Sequence, residues 1–385
     1  MRKYTFRKLI NDIHLWLGII SGMVLFVVCL TGTILAFDTE LVLLIDKQDH
    51  FSEKTNKKLP YQEIITSLEA NNHVIKDFIF FKEDTQNLQF TLLTKKESNS
   101  GKPARGKSVQ INPFTGQEIK ATGKTKAFLH KVEEVHRFLL LDTTIGRPIV
   151  GVCTIIFIIL CLSGLILWMP RKIKQFKKWK SWKQGFNLKT KANWKRINYD
   201  IHNTFGFYAL FPMLLMGLTG LLWSFQWYYD GLETVLGDKI GKSRFDTTIP
   251  VDTVHNDKPA INYMALLKNT DSILPYQNAV TRVTLPLKNN QSIMIRKKSN
   301  LFLAYDAADK LQFNPYTNEL VSKSLFKDES FGSKIASIIR GIHVGSFLGF
   351  TSKLIYFICC LIATSLPITG TIIWINKLKK QAKLN

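Results

Sequence analysis

The sequence predicts a helical membrane protein: a four-helix transmembrane bundle made of two parallel repeats, with two α+β domains on one side. Three observations carry this reading: four long apolar runs, a histidine-centred pattern written twice along the chain, and two strand-rich polar segments, one inside each repeat.

The apolar runs cover 13–37, 149–169, 203–227 and 354–375. Each has about 20 or more residues, which at about 1.5 Å of rise per residue spans a hydrocarbon layer of about 30 Å. The first run starts like a secretory signal, after Arg2, Lys3, Arg7 and Lys8. Its apolar core is long and no small-residue cleavage pattern precedes Asp38, so it is expected to be retained. Lys and Arg beside the spans set the orientation. The stretch 171–198 carries eleven of them and no acid, and both chain ends are basic. These three flanks hold nineteen positive residues, set against a net charge of +23. The charge is therefore a topology signal, and no nucleic-acid partner is expected. Both termini and 171–198 are predicted to be cytoplasmic, with 38–148 and 228–353 outside.

The repeat is read from spacing. His14 and His202 each open an apolar run, each is followed by a glycine one helical turn on (Gly18 and Gly206), and each reaches a Thr-Gly pair at equal distance (Thr31-Gly32 and Thr219-Gly220). His136 and His343 precede the other two runs, which end alike in Leu-Ser-Gly-Leu-Ile-Leu-Trp (162–168) and Ile-Thr-Gly-Thr-Ile-Ile-Trp (368–374). One unit is thus written twice, with a histidine at the start of each of four segments. Asp142, Gly146 and Pro148 before the second run, and Gly345 and Gly349 before the fourth, predict helix breaks that leave His136 and His343 on short outer helices.

In the outside segments, 61–71 and 263–268 have helical periodicity, while 77–81, 88–94, 108–111, 279–287, 292–296 and 302–305 look like strands. Each segment contains one matching motif, Val-Gln-Ile-Asn-Pro-Phe-Thr-Gly-Gln-Glu-Ile (109–119) and Leu-Gln-Phe-Asn-Pro-Tyr-Thr-Asn-Glu-Leu-Val (311–321). Pro113 and Pro315 preset the first turn residue, and Gly116 or Asn318 fills a position expected to have positive φ.

These Asn-Pro-[Phe/Tyr]-Thr hairpins resemble the closing hairpin of PepSY domains. Together with the His-x3-Gly…Thr-Gly segments and the Ser-Gly-x3-Trp-x-Pro stop (163–170), they make nearly the whole chain resemble PepSY-associated transmembrane proteins. That family includes iron-regulated inner-membrane proteins and ferric-siderophore reductases carrying b-type haem. The resemblance implies a multi-pass protein of a bacterial inner membrane with periplasmic PepSY-like domains. The expected organisation is a cytoplasmic N-terminus and first span (1–37), a first PepSY-like domain (38–135), and an outer His helix with the second span (136–170). A basic cytoplasmic loop (171–201), the third span (202–227), a second PepSY-like domain (228–335), an outer His helix with the fourth span (336–376) and a cytoplasmic tail (377–385) complete it.

The residues support haem on their own terms. Neutral imidazole is a common axial ligand of haem iron, and helical bundles build cofactor sites from facing helices. The first and third runs cross in the same direction, so His14 and His202 share one depth and His136 and His343 the other. Repeats related by an axis along the membrane normal bring each pair face to face. Two bis-histidine b haems are the simplest result, with Gly18 and Gly206 leaving room for the porphyrin. Gly32, Gly164, Gly220 and Gly370 are assigned to helix packing. His50, His73, His130 and His255 lack counterparts and are read as surface or local residues. Asp12 and Asp200 sit at the membrane edge. Trp223, Trp227, Tyr228 and Tyr229 form an aromatic belt or a substrate platform.

All five cysteines (Cys29, Cys153, Cys161, Cys359 and Cys360) lie in apolar helices, so no disulfide, CxxC cluster or covalently attached haem is expected. Without a Rossmann fingerprint or P-loop, electrons must come from another donor, such as membrane quinol. The function implied by the resemblance is electron transfer across the bilayer to a ferric siderophore, releasing iron(II). The alternatives are a non-redox, membrane-anchored sensor or protease regulator, which leaves the paired histidines unexplained, and a small-molecule transporter, for which the buried charges or broken mid-helices expected at a midplane site are not read in the sequence.

Overall fold

The computed structural model describes residues 4–55, 57–71, 73–99, 106–120, 123–240, 248–251, 259–276, 280–298 and 307–382. The chain divides into two compact units. One is helical (1–38, 126–235 and 339–385), and the other carries the strands (39–125 and 236–338).

In the helical unit, span 1 is one unbroken helix, Phe6–Leu35, started by Thr5, whose side chain accepts from Lys8 N. Span 2 is Thr143–Trp168, capped by Asp142. The Thr144 hydroxyl and amide both donate to Asp142 Oδ1 and hold its carboxyl below the usual carboxylate range. Span 4 is Phe350–Ala382. These three helices are long and apolar enough to cross a membrane. Span 3, expected as one straight segment, is bent by 62° between Trp194–Tyr208 and Leu210–Trp223. Pro212 explains the bend, since it lacks the N–H that the Tyr208 carbonyl would accept and its ring crowds that carbonyl. Span 1 packs on spans 2 and 4, and span 3 packs on the same two, which closes a four-helix arrangement.

The expected breaks before spans 2 and 4 are present. The helix Lys124–Phe138, which carries His136, stops where Leu139 and Leu140 take φ of 57° and 58°. The helix Phe331–Val344, with His343, stops at Gly345 (φ 77°). The first break falls at 139–142 rather than at Gly146 or Pro148, which lie inside span 2. Gly146 instead permits a close approach, because a Cβ there would collide with the Phe138 carbonyl.

Among its described residues the second unit holds eight antiparallel strands: β1 (Val74–Phe81), β2 (Leu88–Leu93), β3 (Lys107–Ile111), β4 (Glu118–Ile119), β5 (Val280–Thr284), β6 (Ile293–Lys298), β7 (Ala308–Phe313) and β8 (Leu320–Ser324). The two strand sets, expected in separate domains, form a single sheet of order β4-β3-β2-β1-β5-β6-β7-β8. The seam is β1 against β5, with Phe78 opposite Val283. Helices Tyr61–Ala70 and Tyr263–Ile273 bury Ile64, Leu68 and Leu266 against Phe78, Phe90, Ile111, Val283, Ile295 and Leu311. The period-two alternation of those strand residues fixes which sheet face meets the helices. Both hairpin motifs turn as expected. Asn112 Oδ1 accepts from Phe114 N and Asn314 Oδ1 from Tyr316 N, at 2.8 and 2.9 Å, and Gly116 and Asn318 have φ of 71° and 57°. The strand expected at 302–305, residue 279 and His255 lie outside the described residues.

Candidate functional site

All four repeat-matched histidines meet as two pairs inside the helical unit. The ring centres of His14 and His202 are 6.3 Å apart with planes at 88°, and those of His136 and His343 are 6.4 Å apart at 64°. Two imidazoles on one metal, with bonds of about 2.0 Å and each nitrogen roughly 1.2 Å from its ring centre, stand about 6.4 Å apart when collinear. Both pairs match this spacing. Among the described residues no three His, Cys, Asp or Glu side chains gather as for a metal held by protein alone. A two-ligand site suits a metal that brings its own equatorial ligands, as haem iron does.

Each imidazole rests on a Ser/Thr-Gly pair of another helix, and the arrangement is reciprocal within each repeat. His14 of span 1 lies on Ser163-Gly164 of span 2, while His136, just before span 2, lies on Thr31-Gly32 of span 1. In the second repeat His202 lies on Thr369-Gly370 and His343 on Thr219-Gly220. The distances from Nδ1 to the hydroxyl oxygens are 2.9 Å (Ser163), 3.2 Å (Thr31), 2.9 Å (Thr369) and 3.0 Å (Thr219). A Cβ on Gly32, Gly164, Gly220 or Gly370 would stand 3.2, 3.4, 3.3 or 3.2 Å from a histidine Cε1. These four glycines, assigned from sequence to helix packing, make room for the histidine rings.

The hydrogen bonds decide the tautomer. Each seat hydroxyl donates its only proton to a backbone carbonyl one turn back: Ser163 to Ile159, Thr31 to Val27, Thr219 to Leu215 and Thr369 to Ser365. It can therefore only accept from the imidazole, so Nδ1 carries the proton and Nε2 presents its lone pair. Carbonyls reinforce this at the His136–His343 pair, where Val28 O lies 2.9 Å from His136 Nδ1 and Met216 O 3.1 Å from His343 Nδ1. An Nδ1–H held by an acceptor while Nε2 is left for the metal is the usual support of a ligating histidine.

A cavity of about 390 Å³ adjoins the His14–His202 pair, with Gly18 and Gly206 in its lining. A Cβ on either would make only ordinary contacts, 3.8 Å from Leu160 and 3.7 Å from Leu366, so helix packing does not demand glycine there. Leu15, Ile19, Phe157 and Met213 give the cavity apolar walls. Trp223 packs on His343 with ring centres 4.9 Å apart, while Trp227 is exposed.

The remaining candidates behave locally. His130 lies 3.5 Å from Glu134 on its own helix, and His50 accepts from Gln110. Asp12 accepts from Tyr4, whereas Asp200 is buried and paired with Arg196 at 2.9 Å. Cys29, Cys161 and Cys359 are free thiols in a cluster with Met213 and Met216, and free Cys360 lies 3.5 Å from Met216 Sδ.

Fold and site together define a duplicated helical membrane protein whose spans hold paired histidines, joined to an antiparallel α+β sheet. The chain belongs to the family described as the PepSY-associated TM region, whose pattern matches residues 12–377. No curated protein matches the chain significantly.

Proposed function

We propose that the chain is a membrane oxidoreductase that holds two b-type haems and passes electrons from the cytoplasmic side, or from membrane quinol, to a ferric siderophore outside. The observation that carries this reading is the pair of histidine pairs, spaced for one metal each and locked by the seat hydroxyls as Nδ1–H tautomers. His14 and His202 are the proposed axial ligands of one haem, and His136 and His343 those of the other. Haem supplies reversible one-electron chemistry at a potential set by its axial ligands and surroundings. The protein's part is to aim four imidazoles, exclude water around the inner pair with apolar walls, and keep two sites in one bundle. In this reading the basic flanks place the His14–His202 pair toward the cytoplasm and the sheet unit in the periplasm.

The test is a visible spectrum and haem assay on full-length protein purified from haem-replete cells. The expected result is a low-spin b-type spectrum with two haems per chain, reoxidised by a ferric siderophore with iron(II) captured by a chelator. A colourless protein sinks the haem assignment. A red protein that leaves ferric siderophores untouched sinks the acceptor and keeps the haems.

A further inference from the structure

The cavity beside the inner histidines is charged at only one end. Its body is lined by apolar side chains and glycines, while Arg7, Arg171 and Lys377 line it together with Asn11 and Asn203, and no carboxylate is among its lining residues. Arg7 is fixed there, because its Nη2 donates to the carbonyl of Leu167 and, at 3.1 Å, to that of Met169, at the end of span 2. Nε and Nη1 carry three more N–H groups of the guanidinium fork. Of the nearby acids, Asp200 is paired with Arg196, while Asp12 accepts from Tyr4 and Asn11 and lies within electrostatic reach of Lys377 without lining the cavity. Three cations at one end of a largely apolar cavity fit a ligand with an apolar body and anionic groups at one edge.

We infer that Arg7, Arg171 and Lys377 bind the carboxylates of the group held by His14 and His202, so that the inner site selects an amphipathic dicarboxylate and fixes which edge faces the basic end. This rests on the haem reading above and adds an orientation and a charge preference to it. The cations do not touch the metal; they set how the planar ligand is turned between the two imidazoles.

The experiment uses full-length protein carrying His343→Ala, so that only the inner pair ligates, made in haem-deficient cells and solubilised in a neutral detergent. It is titrated with iron protoporphyrin as the diacid and as its dimethyl ester. The diacid is expected to bind at least about tenfold more tightly, as loss of hydrogen bonds to charged groups implies. Adding Arg7→Gln, Arg171→Gln and Lys377→Gln together should bring the two affinities within about twofold, with the low-spin spectrum retained. Arg7→Lys, which keeps the charge, should keep most of the preference. Equal binding of both porphyrins by the parent, or a preference unchanged by the triple substitution, overturns the inference while a His14-dependent low-spin spectrum leaves the haem reading standing. Displacement of the diacid by phosphatidylglycerol, with no displacement by phosphatidylcholine, assigns the basic end to a lipid headgroup and also overturns it. If neither porphyrin binds, the inference and the haem reading fall together.

Discussion

Spans 1 and 3 carry the same landmarks at the same spacing and reach them by different helices. From His14 to Thr31 the chain is a single α-helix. From His202 to Thr219 it runs through a π-helical turn at Ile201–Phe205, a break at Ala209 and a new helix from Leu210. Both nevertheless deliver one histidine to the inner pair and one Thr-Gly seat to the outer pair. What the duplication preserves is the histidine and its seat, with the helix between them free to change. The bent half is braced by buried polar groups. Buried Asn198 donates to the Thr369 carbonyl at 3.0 Å, and buried Asp200 holds Arg196, while the counterpart of Asp200 in the straight half, Asp12, accepts from Tyr4 and Asn11. Departures from regular helix at a functional turn need such polar support.

If the halves are equivalent in function, the largest effects come from the ligands and are symmetric. His14→Ala and His202→Ala should each abolish the same inner haem and leave the outer one. His136→Ala and His343→Ala should do the reverse, and His130→Ala should be silent. Haem stoichiometry and spin state of each purified variant measure this. If His14→Ala and His136→Ala damaged the same haem, the pairing across repeats would be wrong.

A proline tests whether the bend is transferable. Val24 lies as far beyond His14 as Pro212 lies beyond His202. Span 1 packs on spans 2 and 4 as a straight rod, so Val24→Pro should cost about 3 kcal/mol or more. The readout is thermal unfolding in detergent. A variant as stable as the parent would mean that span 1 tolerates the geometry of span 3, and the asymmetry would then be incidental.

The seat hydroxyls come next. Ser163→Ala and Thr369→Val each remove the acceptor that fixes an inner Nδ1–H, and each should weaken inner haem binding about 10–100-fold, the usual effect of losing a partner behind a ligand. Equal losses keep the halves equivalent. A loss confined to Thr369→Val would show that the braced half alone positions the ligand.

Much of this was legible in sequence, and the gaps have physical reasons. Apolar length, the histidine spacing and the Asn-Pro turns are local signals, so the spans, the pairing of His14 with His202 and the positive φ of Gly116 and Asn318 could be read directly. The shared sheet could not. Period-two alternation in Val74–Phe81 and Val280–Thr284 says which face is buried and not which edge finds a partner, and Phe78 meets Val283 across some two hundred residues of chain. The seats were hidden for another reason. Ser163, Thr31, Thr219 and Thr369 bond their own helix backbone, so in one dimension they look satisfied, and the glycines beside them look like packing residues. Only the crossing of two spans turns the hydroxyl's lone pair toward an imidazole. Pro212 was visible, but proline is tolerated in membrane helices, and its presence alone does not say that the helix bends by 62°.

The smallest expected effect tests what that bend does. Pro212 lies between His202, whose ring is held by Thr369 on span 4, and Thr219, which seats His343. Pro212→Ala returns an N–H for the Tyr208 carbonyl and relieves the ring clash, so it favours a straighter span. His202 precedes the bend and is anchored through its seat and through Asn198, so the inner pair should not move. The strain falls on the far side, where Thr219 would shift against the His343 ring. Pro212→Ala should therefore leave the inner haem unchanged and loosen the outer one by a few-fold, read as a small change in the outer low-spin signal and faster loss of that haem to apomyoglobin. A change at the inner haem alone would mean that the bend serves the π turn at His202 and not the outer seat. The equivalence of the two spans would then end at their ligands.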